Sequence, residues 1–194
     1  MQTIEKTRNT LETQVSLSFN PQGDGTCEIC TPIKFFNHML ELLCAHGGFN
    51  LKLNAISLDC DPHHLVEDVA ITLGEAFKES LGDKRGIKRY SNIILAMDES
   101  LVMCGLDVSG RAFCKCDVNI KEEKTSDFET VLLSHFFNSF ASSAAITLHI
   151  KMLDGSDPHH IIECTFKACA RALKEAISID LRNPDKIPST KGAL

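Results

Sequence analysis

No uninterrupted apolar run in the 194 residues approaches the roughly 20 needed to cross a bilayer. The polar opening, MQTIEKTRNTLETQ, has no apolar leader core. Basic residues are outnumbered, 20 Lys and Arg against 26 Asp and Glu, and the net charge of −6 does not invite nucleic acid. A second CxxC is missing too. Cys27-Glu-Ile-Cys30 stands alone, and the alternation of CEICTPIKF puts its two thiols on opposite faces of a strand, so no four-sulfur zinc site is complete. The nine cysteines are odd in number, and Cys44, Cys104, Cys164 and Cys169 sit in apolar stretches, which fits reduced, buried thiols. The expectation from these absences is a soluble cytoplasmic protein. At 43% hydrophobic content it can bury the core of one large domain or two small fused ones.

What is present is a repeated word. DPHH occurs at Asp61–His64 and at Asp157–His160, each copy followed by a glutamate, Glu67 and Glu163. An offset of 97 residues pairs His38 with His135 and Leu51 with Leu148, and an offset of 96 pairs His63 with His159, His64 with His160 and Glu67 with Glu163. One single-residue indel reconciles the two. Each half carries a histidine and, about two dozen residues later, HHxxE. Such long-period similarity marks a duplicated structural unit, here a pseudo-symmetric pair. The division falls at about residues 1–93 and 94–194.

The pattern predicts similar elements in both halves. QVSLSF and CEICTPIKF read as strands, Phe35 to Ala45 as a helix stopped by Gly47-Gly48, LKLNAISL as a strand, and Asp61 as the cap of a helix with Pro62 in its first turn. In the second half VMCGLDVSG and AFCKCDVNI read as strands, Asp127 to Ser142 as a helix, AITLHIKML as a strand, and Asp157-Pro158 opens the last helix. Each unit is then two hairpin-like strands, a helix, a strand and a helix. The expected class is α+β, with helices on one face of mixed sheets.

Neighbouring residues of a helix project about 100° apart, so His63 and His64 cannot readily grip one ion. Glu67 shares a face with one of them. The expected split sends His63 and Glu67 to one ion and His64 to another, and likewise His159 and Glu163 to one and His160 to another. With His38 and His135 this makes two sites of three histidines and one glutamate. Imidazole with one carboxylate suits Mn(II), Fe(II) or Zn(II), and two open octahedral positions favour manganese. His149 reads as a structural strand residue. His46 reads as a helix C-terminal residue that could also reach the site.

The same stretches carry a family resemblance. RNTLET, FFNHMLELLCAHGGFNL, DPHHLVEDVAITLGEA, KRGIKRYSN, MDESL, LDVSGR, SHFFNSFA, HHIIECTFKACARALKEA and PSTKGAL together resemble imidazoleglycerol-phosphate dehydratase, the hydro-lyase of histidine biosynthesis. The resemblance spans almost the whole chain. It implies a duplicated unit of the ribosomal protein S5 domain 2-like type. It also implies homo-oligomeric shells of twenty-four subunits, with two Mn2+ per active site lying between subunits. Leu65, Asn50 and Ser156-Asp157-Pro158 depart from the usual family words. No ligand is among them.

The implied reaction dehydrates D-erythro-imidazoleglycerol phosphate to imidazole acetol phosphate. The proton to be lost is not beside a carbonyl, so the imidazole ring must serve as electron sink. Metal on each ring nitrogen would hold it as imidazolate. By resemblance Glu12 is the base, and with the ligand carboxylates Glu67 and Glu163 it makes up the catalytic set; Asp98 could handle or orient a proton. Arg89, Arg111, Lys167, Ser189 and Lys191 are the candidates for the substrate phosphate, joined by His46 at the substrate. The tail STKG lacks the first glycine of a Walker loop, which excludes a nucleotide site of that kind. Two other classes are compatible with the histidines alone: another dimetal enzyme, such as a hydrolase with a bridging hydroxide, and a non-catalytic metal-binding shell protein.

Overall fold

Strand, strand, strand, helix, strand, helix is the order of elements, run through twice, in a computed structural model of residues 1–194. The first unit comprises β1 (Ile4–Asn9), β2 (Thr13–Asn20), β3 (Cys27–Cys30), α1 (Lys34–Gly47), β4 (Asn50–Ser57) and α2 (Pro62–Ser80). The second comprises β5 (Tyr90–Met97), β6 (Ser100–Asp107), β7 (Phe113–Asp117), a small hairpin of β8 (Lys124–Thr125) and β9 (Phe128–Glu129), α3 (Leu132–Ala144), β10 (Thr147–Asp154) and α4 (Pro158–Ile177). The two sheets have the same order, β1-β2-β4-β3 and β5-β6-β10-β7. In each, the last pair is parallel and the others antiparallel. The expected α+β class with mixed sheets stands.

Three expectations need correction. Each unit has three strands before its first helix, because β1 and β5 were not anticipated. Their edge positions explain this: IEKTRN has only Ile4 buried, and its remaining side chains are polar. The second and third strands do not form a hairpin, since β4 inserts between β2 and β3, and β10 between β6 and β7. Finally, β5 begins at Tyr90, so a division at 93/94 would cut a strand; the units part in the segment before it.

Alternation along β2 buries Val15, Leu17 and Phe19 and leaves Ser16 and Ser18 outward. The inward residues of both sheets and the apolar faces of all four helices form one cluster of 49 buried residues. The helices pack across the repeat: α2 lies on α3, and α1 on α4. Gly74 on α2 permits the first of these approaches, since a β-carbon there would stand 2.6 Å from the carbonyl oxygen of Phe140 on α3. Neither repeat closes its core without the other.

The helix ends follow elementary rules. Asp61 accepts from the His63 N–H at 2.8 Å and Asp157 from that of His159 at 2.7 Å, each with proline in the first turn. Gly48, at φ 66°, terminates α1 as expected of the Gly-Gly pair. The start of α1 has no cap of its own at Ile33. Asp127 supplies one from the other unit, accepting from the N–H groups of Lys34 at 2.7 Å and Phe35 at 2.9 Å. Thus Asp127, expected to open α3, instead caps α1, and α3 begins at Leu132. Replacing Asp127 by Ala should lower unfolding stability by about 0.5–2 kcal/mol in denaturant titrations, with Asn retaining most of it; an unchanged midpoint would show that the cross-unit cap contributes nothing.

Candidate metal centre and active site

The Asp-Pro starts place each histidine pair in the first turn of its helix, and the two rings of a pair then diverge. His63 and His64 stand at 80° to each other, His159 and His160 at 79°. The first ring of each pair faces the helix packed from the other repeat. The His159 Nε2 lies 3.1 Å from Glu163 Oε2, one turn along α4, and His38 Nε2 on α1 lies 3.5 Å from the same oxygen. These three ligand atoms all lie within 4.8 Å of one another. The related group on α2 and α3 brings the His63 and His135 rings to 4.3 Å, edge to face. Glu67 is partly buried one turn from His63 and makes no ion pair or hydrogen bond. The sequence left open which histidines share a site; the helix packing brings His38 together with His159 and Glu163, and His135 together with His63.

The second histidines, His64 and His160, point to the hairpin turns of the sheets. His64 Nδ1 lies 2.6 Å from Asp59 Oδ2 and 3.8 Å from Glu12 Oε2. His160 Nδ1 lies 2.8 Å from Glu99 Oε2, and its Nε2 is 4.0 Å from Asp98. Glu12 belongs to the β1–β2 turn, which Asp68 of α2 fastens. Arg8 Nε donates to Asp68 at 2.6 Å and Thr13 Oγ1 at 2.5 Å. Asp98 and Glu99 form the two-residue turn between β5 and β6, with Asp98 at φ 49°. Within one chain, then, each cross-repeat group holds two histidines, and His64 and His160 lie instead beside the acidic residues of the turns. Asp59, Glu99 and Asp68 were not singled out in the sequence: carboxylates near turns, such as Asp59 and Glu99, look like ordinary solvated residues, and nothing local marks Asp68 as buried within α2.

The charge balance is local. Burial works against the Glu163 carboxylate, but Lys167, His159 and His38 outweigh it and hold its pKa below the usual range. Lys167 Nζ sits 2.6 Å from Glu163 Oε1. His46 is pushed down by burial and by Lys167 and Arg171. Asp59, bonded by the Asp61 N–H and by His64, falls to about 2, and Glu99, bonded by His160 and the Asp157 N–H, also to about 2.

At the other end, Arg89, Arg111, Ser189 and Lys191 line one open cleft with the C-terminal tail. Arg89 grips Asp107 through Nε at 2.7 Å and Nη2 at 3.2 Å and donates to the Pro188 carbonyl at 2.8 Å, which leaves two of its five N–H donors. The tail forms turns and no helix. Lys167 does not line this cleft within one chain; it pairs with Glu163, beside the histidines.

A family model described as imidazoleglycerol-phosphate dehydratase matches residues 31–173. The imidazoleglycerol-phosphate dehydratase of Thermoanaerobacter pseudethanolicus is 49% identical over 195 residues, covering all of both chains. That of Caldicellulosiruptor saccharolyticus is 47% identical, covering 98% of this chain and 97% of its own. The crystal structure of the Staphylococcus aureus enzyme superposes with a TM-score of 0.84 at 32% identity, covering 92% of this chain and all of that one. IGPD from Pyrococcus furiosus, in complex with (S)-C348, gives 0.84 at 34% identity, covering 97% and 100%. The chain belongs to the imidazoleglycerol-phosphate dehydratase family. It is accordingly a hydro-lyase of histidine biosynthesis, and the non-catalytic shell reading falls away. No helix is long and apolar enough to cross a membrane.

The departures from the family words lie outside the ligands. Asn50 Oδ1 accepts from the N–H groups of Asp24, Gly25 and Thr26, work that a carboxylate oxygen would do equally. Leu65 is fully buried in the core. Asp157-Pro158 is the cap of α4.

His64 is raised above its ordinary 6.5, first by Asp59 and further by Glu12, while Asp59 drops from 3.8 to about 2. In the metal-free protein this pairing stabilises the fold fully below pH 6.5 and fades as pH rises through the raised histidine value. The Asp59 contribution is present above pH 3.8 and is lost as pH falls toward about 2. His64→Gln should therefore lower the melting temperature most between these limits, and less as the solution becomes alkaline. A difference independent of pH would refute the pairing.

Proposed function

We propose that the chain dehydrates D-erythro-imidazoleglycerol phosphate to imidazole acetol phosphate at a centre of two divalent ions, manganese being the metal that suits the donors best. The observation that carries this reading is the meeting of His38 and His159 with Glu163 from opposite repeats. Two borderline imidazoles and one hard carboxylate fit Mn(II) and leave positions for substrate. His63, Glu67 and His135 form the pseudo-symmetric donor set. When bound, the two ions would stabilise the substrate ring as its anion, which makes that ring the electron sink.

The chain's own residues do the rest. Glu12, exposed on its anchored turn beside His64, takes a proton from the glycerol carbon of the substrate; that proton and the departing hydroxyl together make the released water, and the resulting enol becomes the ketone. Asp98 lies 4.0 Å from His160, which supports a part in orienting or relaying a proton. Arg111, Ser189, Lys191 and the two free donors of Arg89 hold the phosphate. His46 and Lys167 flank Glu163. His64 and His160 face away from their own chain's donor groups, which supports a homo-oligomeric shell in which a second copy provides each third imidazole. The nine free cysteines support a reducing, cytoplasmic setting.

Manganese-loaded protein incubated with imidazoleglycerol phosphate should release the acetol phosphate; no turnover with metal bound and the oligomer assembled would defeat the proposal. Glu12→Gln should lower kcat by about 10²–10⁴-fold with an unchanged manganese count. Loss of metal in that variant would move Glu12 from base to ligand.

A further inference from the structure

We propose that Asp59 and Glu99 are positioning residues that fix which nitrogen His64 and His160 present to a ligand. The inference rests on the metal reading above. In both cases the contact is to Nδ1, at 2.6 Å from Asp59 and 2.8 Å from Glu99. A carboxylate can only accept, so Nδ1 carries the proton and Nε2 keeps its lone pair. A neutral imidazole with a free Nε2 is a metal donor, and its partner carboxylate sets both the ring orientation and its basicity.

The two carboxylates divide their oxygens in the same way. Asp59 Oδ1 accepts from the Asp61 N–H and the Ser57 hydroxyl, both at 3.0 Å, which leaves Oδ2 for the imidazole. Glu99 Oε1 accepts from the N–H groups of Asp157 at 2.9 Å and Ser156 at 3.3 Å and from the Ser100 hydroxyl at 3.1 Å, which leaves Oε2. One oxygen of each thus locks the carboxylate to the backbone ahead of the helix, and the other locks the ring.

The two residues are not related by the repeat. The offset of 96 residues that superimposes the histidine pairs places Gly155 opposite Asp59. A β-carbon at Gly155 would lie 2.7 Å from Ile161 and 3.0 Å from the Ser100 hydroxyl, so no side chain fits there. The second unit instead receives its carboxylate from the β5–β6 turn. Different residues on different elements reach the same ring atom. A side effect of the duplication would have given matching positions, so this arrangement answers a requirement at Nδ1.

The test uses amide replacements, Asp59→Asn and Glu99→Gln. Each can keep the backbone-bound oxygen and puts an NH2 donor where the ring-facing oxygen was. The donor forces Nδ1 to accept and moves the imidazole proton to Nε2, the wrong tautomer. The full chain, stripped of metal and titrated above pH 8 with Mn(II) followed by electron paramagnetic resonance, should bind about 10–100-fold more weakly in each variant, with the metal-free melting temperature little changed at that pH, where the charge pairing of His64 with Asp59 has faded. Nitrogen-15 shifts of labelled histidine in metal-free wild-type protein above pH 8 should report Nδ1–H at both positions. Wild-type Nε2–H at these histidines, or undiminished manganese affinity in both variants, overturns the inference and leaves the ligand assignment standing. A full manganese count in His64→Ala overturns that assignment, and this inference with it.

Discussion

The Asp-Pro cap at the start of α2 and α4 is the constraint on which the site depends. An aspartate that accepts from the backbone of the first turn fixes where that turn begins, and the following two residues then project about 100° apart whatever their side chains are. Because those residues are both histidine, one ring meets the histidine of the facing helix and the other meets the acidic residues of the sheet's turns, with the two ring planes nearly perpendicular. Had the helix started one residue later, Glu67 and Glu163 would still lie one turn on from His63 and His159, but the set would be rotated away from His135 and His38. The cap therefore sets direction as well as helix stability.

Direction matters because each donor group spans the repeat. The first unit's α1 meets the second unit's α4, and α2 meets α3. A single repeat would have an open apolar face and half a donor set. The packing that closes the core, with Gly74 letting α2 approach α3, is the same packing that brings His63 to His135. Asp127 reinforces it from another side, since the helix carrying His38 takes its cap from the unit carrying His159. Core formation and assembly of the donors are one event.

The histidines, their two glutamates and the helix caps were legible in the sequence because they obey local rules: helical spacing, Asp-Pro, Gly-Gly. The duplication made them conspicuous. β1 and β5 were not legible, since an edge strand needs only one buried face and IEKTRN offers little apolar alternation. The insertion of β4 between β2 and β3 is a long-range choice that no window of sequence contains. Asp127 looked like the start of its own helix because capping chemistry is the same in trans. Asp59 lies five residues from its histidine and Glu99 sixty-one, and nothing marks either until the ring is found at one carboxylate oxygen.

Lys167 has a partner inside its own chain. As a cation it is a candidate for the substrate phosphate. Within the chain its ammonium holds Glu163 Oε1 at 2.6 Å, while Oε2 faces the two imidazoles. A carboxylate tied in this way has one oxygen left for an ion, so it would bind through a single atom and leave coordination positions open. The lysine also offsets the burial of the carboxylate, which keeps Glu163 charged without requiring a metal to be there first. Burial alone would favour a protonated, weakly ligating acid; the ion pair one turn along α4 keeps the carboxylate ionised and oriented before any ion arrives.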